Sequence, residues 1–394
     1  MKSLNRILLS FSLIIFLKYS VNSQWVIDMD PCCMFPTFIS VVDTGTVWTL
    51  GSKSLYQWDT SAVLVKHPRY GWLEGLGNNL PLHNQYTCIT AIDTSVAFVG
   101  DANGKIYKTT DMGMNWVQIL NAGSNKLVVD IKFSKIQKNT GYIVCSPWDW
   151  APGNFIIYKT TNFGNTWHEF SQNWGNCYYT ANRSPLCVTD SAHVWCALWK
   201  ISNNCTINRV AFTSNGGINW QLTDIDTGRT GIYSVTFKTD NQYGLATSYK
   251  SNNQTNIMRS TNGGVNWSIL SSFSGGSGYE TGLLSISEST VWFFSGSTFN
   301  NGVWHNYISK SSNEGMNWIA MSTYDSTYSF SDIDAIKFNN IIYLYSIEGD
   351  KILRHIDTSV VIGINNNGRL IPKSNSLSQN YPNPFNPVTN IGFR

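Results

Sequence analysis

The sequence predicts an all-β chain built from seven repeated units, and three observations carry the prediction. An octapeptide, TTDMGMNW at Thr109 to Trp116, recurs as TTNFGNTW (Thr160 to Trp167), TSNGGINW (Thr213 to Trp220), STNGGVNW (Ser260 to Trp267) and SSNEGMNW (Ser311 to Trp318). Its tryptophans, at positions 116, 167, 220, 267 and 318, lie 51, 53, 47 and 51 residues apart, the signature of a repeat array. A second pattern runs in phase with it: VVDTGTVW (Val41 to Trp48), AIDTSVAF (Ala91 to Phe98), VTDSAHVW (Val188 to Trp195) and ISESTVWF (Ile286 to Phe293). Helical periodicity of useful length is absent, whereas the segments flanking each octapeptide alternate in the β manner.

Each fixed position of the octapeptide suits a tight turn between antiparallel strands. Asp111, Asn162, Asn215, Asn262 and Asn313 carry a short side chain that accepts nearby backbone N–H groups. Gly113, Gly164, Gly217, Gly264 and Gly315 can take positive φ. Trp116, Trp167, Trp220, Trp267 and Trp318 leave the turn as plugs, each expected to bury roughly 150–250 Å² against its own repeat. Strands such as KIYKT (Lys105 to Thr109), IIYKT (Ile156 to Thr160) and RVAFT (Arg209 to Thr213) precede the turns, and short strands beginning at the tryptophan follow them. The frame Ser/Thr-x-Asp/Asn-x-Gly-x-x-Trp is identified as the Asp-box, or bacterial neuraminidase repeat, in five of the seven units. This resemblance implies a β-propeller, a fold shared in that family by sialidases, xyloglucan-degrading hydrolases, sortilin-type receptors and the photosystem II assembly factor group. It also implies that the boxes lie on the face away from the active site and are structural. Only Asp111 is the family's Asp; the other four copies depart from it with Asn, which caps the same turn.

In chain order, residues 1–23 read as a secretory signal: Lys2 and Arg6 give a basic start, Ile7 to Leu17 an apolar core too short to span a bilayer, and Val21-Asn22-Ser23 a small-residue end. Gln24 to Met29 resembles the strand after a box tryptophan with no box before it. It is expected to complete the last blade, whose own fourth strand is missing near Ile356, and so to close the ring and remove exposed sheet edges. The expected fold is therefore a seven-bladed β-propeller over residues 24–361, closed by an N-terminal strand, with units starting near Thr37, Tyr86, Val128, Pro185, Ile232, Thr281 and Ser331. In the second pattern Asp43, Asp93, Asp190 and Glu288 read as caps of an inner hairpin turn.

From Ile362 the chain turns polar, with Asn365-Asn366-Asn367-Gly368, and 362–375 reads as a linker. The string from Leu377 to Pro387, with Thr389, Ile391 and Phe393, resembles the opening of the C-terminal sorting domain read by the type IX secretion system of Bacteroidetes-like bacteria. That domain continues for several more strands in the family, so 376–394 are expected to carry its beginning. The resemblance implies the secretion machinery as a partner and a secreted or cell-surface location.

The signal-like segment holds Lys2, Arg6 and Lys18 and no acid, so the formal charge of +3 belongs to it and the remainder is neutral. A neutral chain with 13% charged residues carries no electrostatic footprint for nucleic acid or an acidic membrane. Eight cysteines behind a signal fit an oxidising compartment. Cys196 with Cys205, and Cys177 with Cys187, are candidate bridges, each contributing roughly 2–4 kcal/mol where geometry allows. Cys32-Cys33 is not a zinc pattern and the histidines are scattered; no metal or cofactor is expected.

Function is sought on the face opposite the boxes, where loops after the second strand meet connections between blades. Those loops are aromatic: Trp148, Asp149 and Trp150 between Pro147 and Pro152, then Trp174, Tyr178 and Tyr179, then Trp199, and finally Trp304. Such side chains suit stacking on sugar rings or gripping an extended peptide; packing between blades is the competing use of each. The reading is a non-catalytic propeller binding a glycan or a secreted or surface protein. The alternative is a sialidase-like or other glycoside hydrolase. Sialidases need three arginines from separate blades, and the Phe/Tyr-Arg-Ile-Pro signature is absent: blade 1 offers Arg69, the ligand-face loops Arg183 and Arg229, while Arg209 and Arg259 lie in strands. Ordinary glycoside hydrolysis needs two carboxyls roughly 5–10 Å apart, and Asp149, Glu280 and Asp350 show no partner in sequence. No catalytic residue is assigned.

Overall fold

A computed structural model describes residues 25–30, 35–52, 61–82, 84–147, 155–172, 179–180, 185–200, 208–226, 231–250, 254–274, 282–285, 292–339 and 341–358. The signal-like segment, the linker and the sorting-like segment lie outside them. The described residues are all-β and form seven antiparallel sheets, each a blade. Blade 1 comprises Phe35–Val41, Val47–Ser52, Ser61–His67 and Gly71–Leu76; blade 2, Tyr86–Ala91, Ala97–Asp101, Lys105–Thr109 and Val117–Asn121. Blade 3 comprises Lys126–Phe133, Gly141–Pro147, Phe155–Thr160 and His168–Gln172; blade 4, Leu186–Val188, Val194–Lys200, Asn208–Thr213 and Gln221–Asp226, with Tyr179–Thr180 added to its second strand. Blade 5 comprises Ile232–Phe237, Gly244–Lys250, Gln254–Ser260 and Ser268–Ser274; blade 6, Gly282–Ser285, Trp292–Asn300, Val303–Ser311 and Ile319–Ser326. Blade 7 has Phe330–Phe338, Ile341–Glu348 and Lys351–Asp357.

The fourth strand of blade 7 comes from the other end of the chain. Val26–Met29 pairs antiparallel with Lys351–Asp357, Val26 opposite Arg354 and Ile27 opposite Leu353. The first strands touch in cyclic order from blade 1 through blade 7 and back to blade 1, so the ring is closed. Asp28 ties the closing strand down. Its carboxylate accepts Lys66 Nζ at 2.5 Å and Trp72 Nε1 at 3.0 Å from blade 1, and lies 3.2 Å from Arg354 Nε of blade 7. Trp25 is buried beside it, edge-on to Phe330 at 5.5 Å.

The octapeptides join third strands to fourth strands. In the first copy the Met114 N–H donates to the Asp111 carbonyl at 3.3 Å, with φ of 61° at Met112 and 83° at Gly113. Positive φ at both central residues makes a type I′ turn, set within the longer connection between Lys105–Thr109 and Val117–Asn121. Phe163, Gly216, Gly263 and Glu314 hold the place of Met112 at φ of 58°, 72°, 71° and 63°. The turn thus differs from the sequence expectation, which gives positive φ to the second glycine position alone.

The hydroxyl at the start of each octapeptide is the hub. Thr109 Oγ1 accepts the Gly113 N–H at 3.1 Å and donates to Asp111 Oδ1, which accepts the Asn115 N–H at 2.9 Å. Thr160, Thr213, Ser260 and Ser311 repeat this on Gly164, Gly217, Gly264 and Gly315. Asn162, Asn215, Asn262 and Asn313 each accept the fourth N–H onward at 2.9 Å through Oδ1. One side-chain oxygen suffices, which is why Asn serves as well as Asp.

The two sequence patterns meet across blade boundaries. A Cβ on Gly113 would come 3.1 Å from the Trp48 ring of the preceding blade, on Gly164 2.5 Å from Phe98, and on Gly264 2.8 Å from Trp195. Trp116 stands edge-on to Trp48 at 6.3 Å and Trp167 to Phe98 at 6.4 Å. The box tryptophans therefore pack against the preceding blade as well as their own repeat, correcting the expectation of a plug within one unit. The bare glycine face lets the turn settle on the neighbour's aromatic ring. At the inner hairpins Asp43, Asp93 and Asp190 each accept two backbone N–H groups through Oδ1. Asp240 does the same in blade 5, and the Ser134 hydroxyl in blade 3; Glu288 lies outside the described residues.

Candidate functional site

The first strands line the centre of the ring, and their free edges would leave backbone N–H groups without a ladder partner. Side chains of the preceding blade supply one. Asp332 and Asp334 of blade 7 accept the N–H groups of Ile39 and Val41 of blade 1 at 2.8 and 2.7 Å. Ser40 accepts Ala91 N–H of blade 2 at 3.0 Å, Asp130 of blade 3 accepts Leu186 N–H of blade 4 at 3.2 Å, and Cys187 Sγ accepts Phe237 N–H of blade 5 at 3.2 Å. From blade 2, Thr87 donates to the Val128 carbonyl at 2.5 Å and Thr90 to that of Ile131.

A bulge aims these side chains inward. The register of the first strand shifts between Pro36 and Phe38, Tyr86 and Cys88, Val128 and Asp130, Ile232 and Ser234, and Phe330 and Asp332. A bulge re-aims the residues that follow it, and Asp130 and Asp332 are the first after theirs.

Lys132 is the cation among these carboxylates, its Nζ 3.8 Å from Asp130 Oδ1. Burial pushes its pKa down, but Asp130, Asp334 and Asp332 outweigh burial and hold it above the ordinary lysine range. Burial raises Asp130, and raises Asp332 to about 6 against the pull of the Ile39 N–H and Lys132. Asp130, Lys132 and Asp332, with Phe38, Ile39, Thr87 and Cys88, surround a cavity of about 20 Å³. That is room for about one water molecule.

The chemistry open to the three carboxylates is narrow. Beyond the inter-blade bond, Asp130, Asp332 and Asp334 each accept the N–H of their own next residue through Oδ1, at 2.9, 2.9 and 2.8 Å. Glycoside hydrolysis needs one carboxyl to protonate a leaving oxygen and another to act at the anomeric carbon or its water. Here both oxygens of each carboxylate hold backbone. Among the described residues no His, Cys, Asp or Glu group could hold a metal. This cluster was missed in the sequence expectation, although it has a signal: charged residues two apart, Asp130 with Lys132 and Asp332 with Asp334, in otherwise apolar strands.

Of the side chains expected on the face opposite the octapeptides, Trp148, Asp149, Trp150, Trp174 and Tyr178 lie outside the described residues. Tyr179 and Trp199, expected in loops, belong to strands, with Tyr179 opposite Lys200 and Thr180 opposite Trp199. Trp304 is also a strand residue, opposite Phe299 in the long second hairpin of blade 6. The hairpin turns at Asn301-Gly302, both at positive φ, and Asn-Gly favours that turn strongly. Trp304 is half-buried. On the neighbouring strand positions His305 Nδ1 lies 2.7 Å from Asp325 Oδ1, both exposed. Among the described residues two of the candidate arginines are engaged on separate blades: Arg69 lies over Tyr70 in an exposed turn between third and fourth strands, and Arg209 pairs with Asp224 at 2.6 Å on a blade surface. Arg183, Arg229 and Glu280 lie outside the described residues. Cys187 and Cys196 are free thiols, so the proposed bridges are not formed; Cys177 and Cys205 lie outside the described residues.

No protein-family model matches the sequence, and no curated protein matches it. Solved structures do. The chain is similar to YCF48 bound to D1 peptide, at 13% identity and a TM-score of 0.54, over 85% of this chain and 95% of that one. It is similar to virginiamycin B lyase from Staphylococcus aureus, at 15% identity and a TM-score of 0.53, over 84% and 98%. A PL25 ulvan lyase bound to a GlcA–Rha3S saccharide follows at 10% identity and 0.50, over 80% and 90%. The fold is a seven-bladed β-propeller. At these identities the likeness of the propeller to its neighbours is one of fold.

Proposed function

We infer that this propeller is a non-catalytic binding module, secreted or held at the cell surface, that engages a glycan or a protein through the face opposite the octapeptide turns. The observation that carries the reading is the commitment of Asp130, Asp332 and Asp334 to backbone N–H groups, with Asp130 and Asp332 lining a cavity of about 20 Å³. The centre of the ring is occupied with holding blades together, which leaves recognition to the rim. There the sequence places Trp148, Trp150, Trp174, Tyr178, Tyr179, Trp199 and Trp304. Two fold neighbours, YCF48 bound to D1 peptide and the PL25 ulvan lyase bound to a GlcA–Rha3S saccharide, hold a peptide and a saccharide, the two partner classes that exposed aromatics and amides serve. The signal-like start and the sorting-like end support export, with the type IX machinery as a second partner.

An array of glycans and peptides probed with the chain from Gln24 onward tests this, beside a Trp148→Ala, Trp150→Ala variant. Binding that the variant loses by roughly tenfold or more supports the reading and names the partner class. Saccharide cleavage by the wild type, or no binding to either array, overturns it; cleavage moves the glycoside hydrolase alternative to the front.

A further inference from the structure

The blades share a frame, because the same register recurs in each. The residue opposite the fourth position of the second strand is Val63, Ile106, Ile157, Val210, Ile257 and Ile308 in blades 1 to 6. All six are aliphatic and at most 1% exposed. In blade 7, opposite Leu344, it is His355, also 1% exposed. Neither imidazole nitrogen has a hydrogen-bond partner, and leaving a buried polar group unpaired costs about 1–3 kcal/mol. The exception falls in the blade that the N-terminal strand completes: the Trp25 ring lies 5.3 Å from the imidazole.

We propose that His355 is a proton-operated latch on the ring closure: protonation of its imidazole unseats Trp25 and releases Val26–Met29, opening blade 7 while the other blades stay formed. The neutral ring tolerates this apolar setting, opposite Leu344 and beside Trp25; a buried imidazolium without an acceptor does not. The Trp25 indole N–H is itself unpartnered and is a donor only. From blade 6 the facing charge is Lys310, held at 2.6 Å by Asp357 of the histidine's own strand. On the closing strand Asp28 is bound to Lys66 and Trp72 of blade 1, with Arg354 beside it. Burial, with Lys310 adding and Asp357 opposing, holds His355 below the ordinary histidine range. A depressed imidazole pKa means the opened strand takes up the proton first. Closure is complete above the ordinary value of about 6.5 and weakens as pH falls through it toward the lower, closed-state value.

Hydrogen–deuterium exchange of the whole chain, corrected for intrinsic rates, tests the latch between about pH 7.5 and pH 5. In the wild type, peptides covering Val26–Met29 are expected to lose roughly tenfold protection across that range while Gly141–Pro147 of blade 3 stays protected. His355→Ile, which restores the residue type of the other six blades, should abolish the loss. Flat wild-type protection, or an equal loss in His355→Ile, overturns the proposal.

Discussion

Asp28 and Lys66, 38 positions apart in sequence, meet at 2.5 Å across the seam where the ring closes. The carboxylate is only 7% exposed, and Trp72 and Arg354 approach it from either side of the same seam. A strand four residues long cannot hold a blade by its ladder alone. It is held by this side chain and by Trp25.

Removing the carboxylate strands Lys66 and Arg354. Asp28→Ala is expected to cost about 3 kcal/mol, since breaking a largely buried pair leaves an uncompensated charge. Chemical denaturation measures it, and a loss below about 0.5 kcal/mol contradicts the role assigned to the seam.

Two changes in one octapeptide turn should have opposite signs. Phe163 sits at φ 58° and is half exposed, so Phe163→Gly relieves left-handed strain and is expected to stabilise by about 1 kcal/mol. Its neighbour Gly164 is at φ +71° with a virtual Cβ 2.5 Å from Phe98. Gly164→Ala should destabilise by about 2 kcal/mol or more. Equal signs in thermal melts refute the type I′ assignment.

Asp332 gives a pH signature. Its carboxyl, raised to about 6 from an ordinary 3.8, favours the protonated form in the fold. The stability tied to it is present below 3.8 and is lost as pH rises through about 6. Asp332→Asn should therefore gain on the wild type between about pH 5 and 7.5. His355 contributes equally to both proteins and cancels. A difference that is constant with pH contradicts the burial of this carboxyl.

The thiols are a further check. Burial pushes Cys88 and Cys196 up, and Cys145 to about 12, so all three should resist iodoacetamide in the native protein and react once denatured without reductant. Failure of Cys196 to react after denaturation, until reductant is added, would show it bonded to another cysteine.

The repeat made most of the fold legible. The octapeptides announce third-to-fourth-strand turns, the acid-containing pattern announces the inner hairpins, and Gln24 to Met29 reads as a fourth strand without a blade. What the sequence hid is what one repeat cannot contain. Trp48, Phe98 and Trp195 look like ordinary strand aromatics until the next blade's glycine turn is seen lying on them. Asp130 and Asp332 look misplaced in apolar strands until the bulge and the neighbouring blade's free N–H appear. Met112, Phe163 and Glu314 give no local sign of positive φ, because the turn imposes it on whatever residue stands there. At the candidate site the aromatic residues were legible as composition, but strand extension was not: Asn301-Gly302 closes the long second hairpin of blade 6 and puts Trp304 on a strand.

The central claim is that recognition belongs to the face opposite the octapeptide turns. The most direct measurement compares the affinity of the array-identified partner for two variants, Trp148→Ala with Trp150→Ala in the segment proposed for that face, and Met114→Ala with Phe163→Ala on the turn face. A loss of roughly tenfold or more in the first and none in the second is the predicted result. Full affinity in the first with a loss in the second would place binding on the octapeptide face and contradict the account.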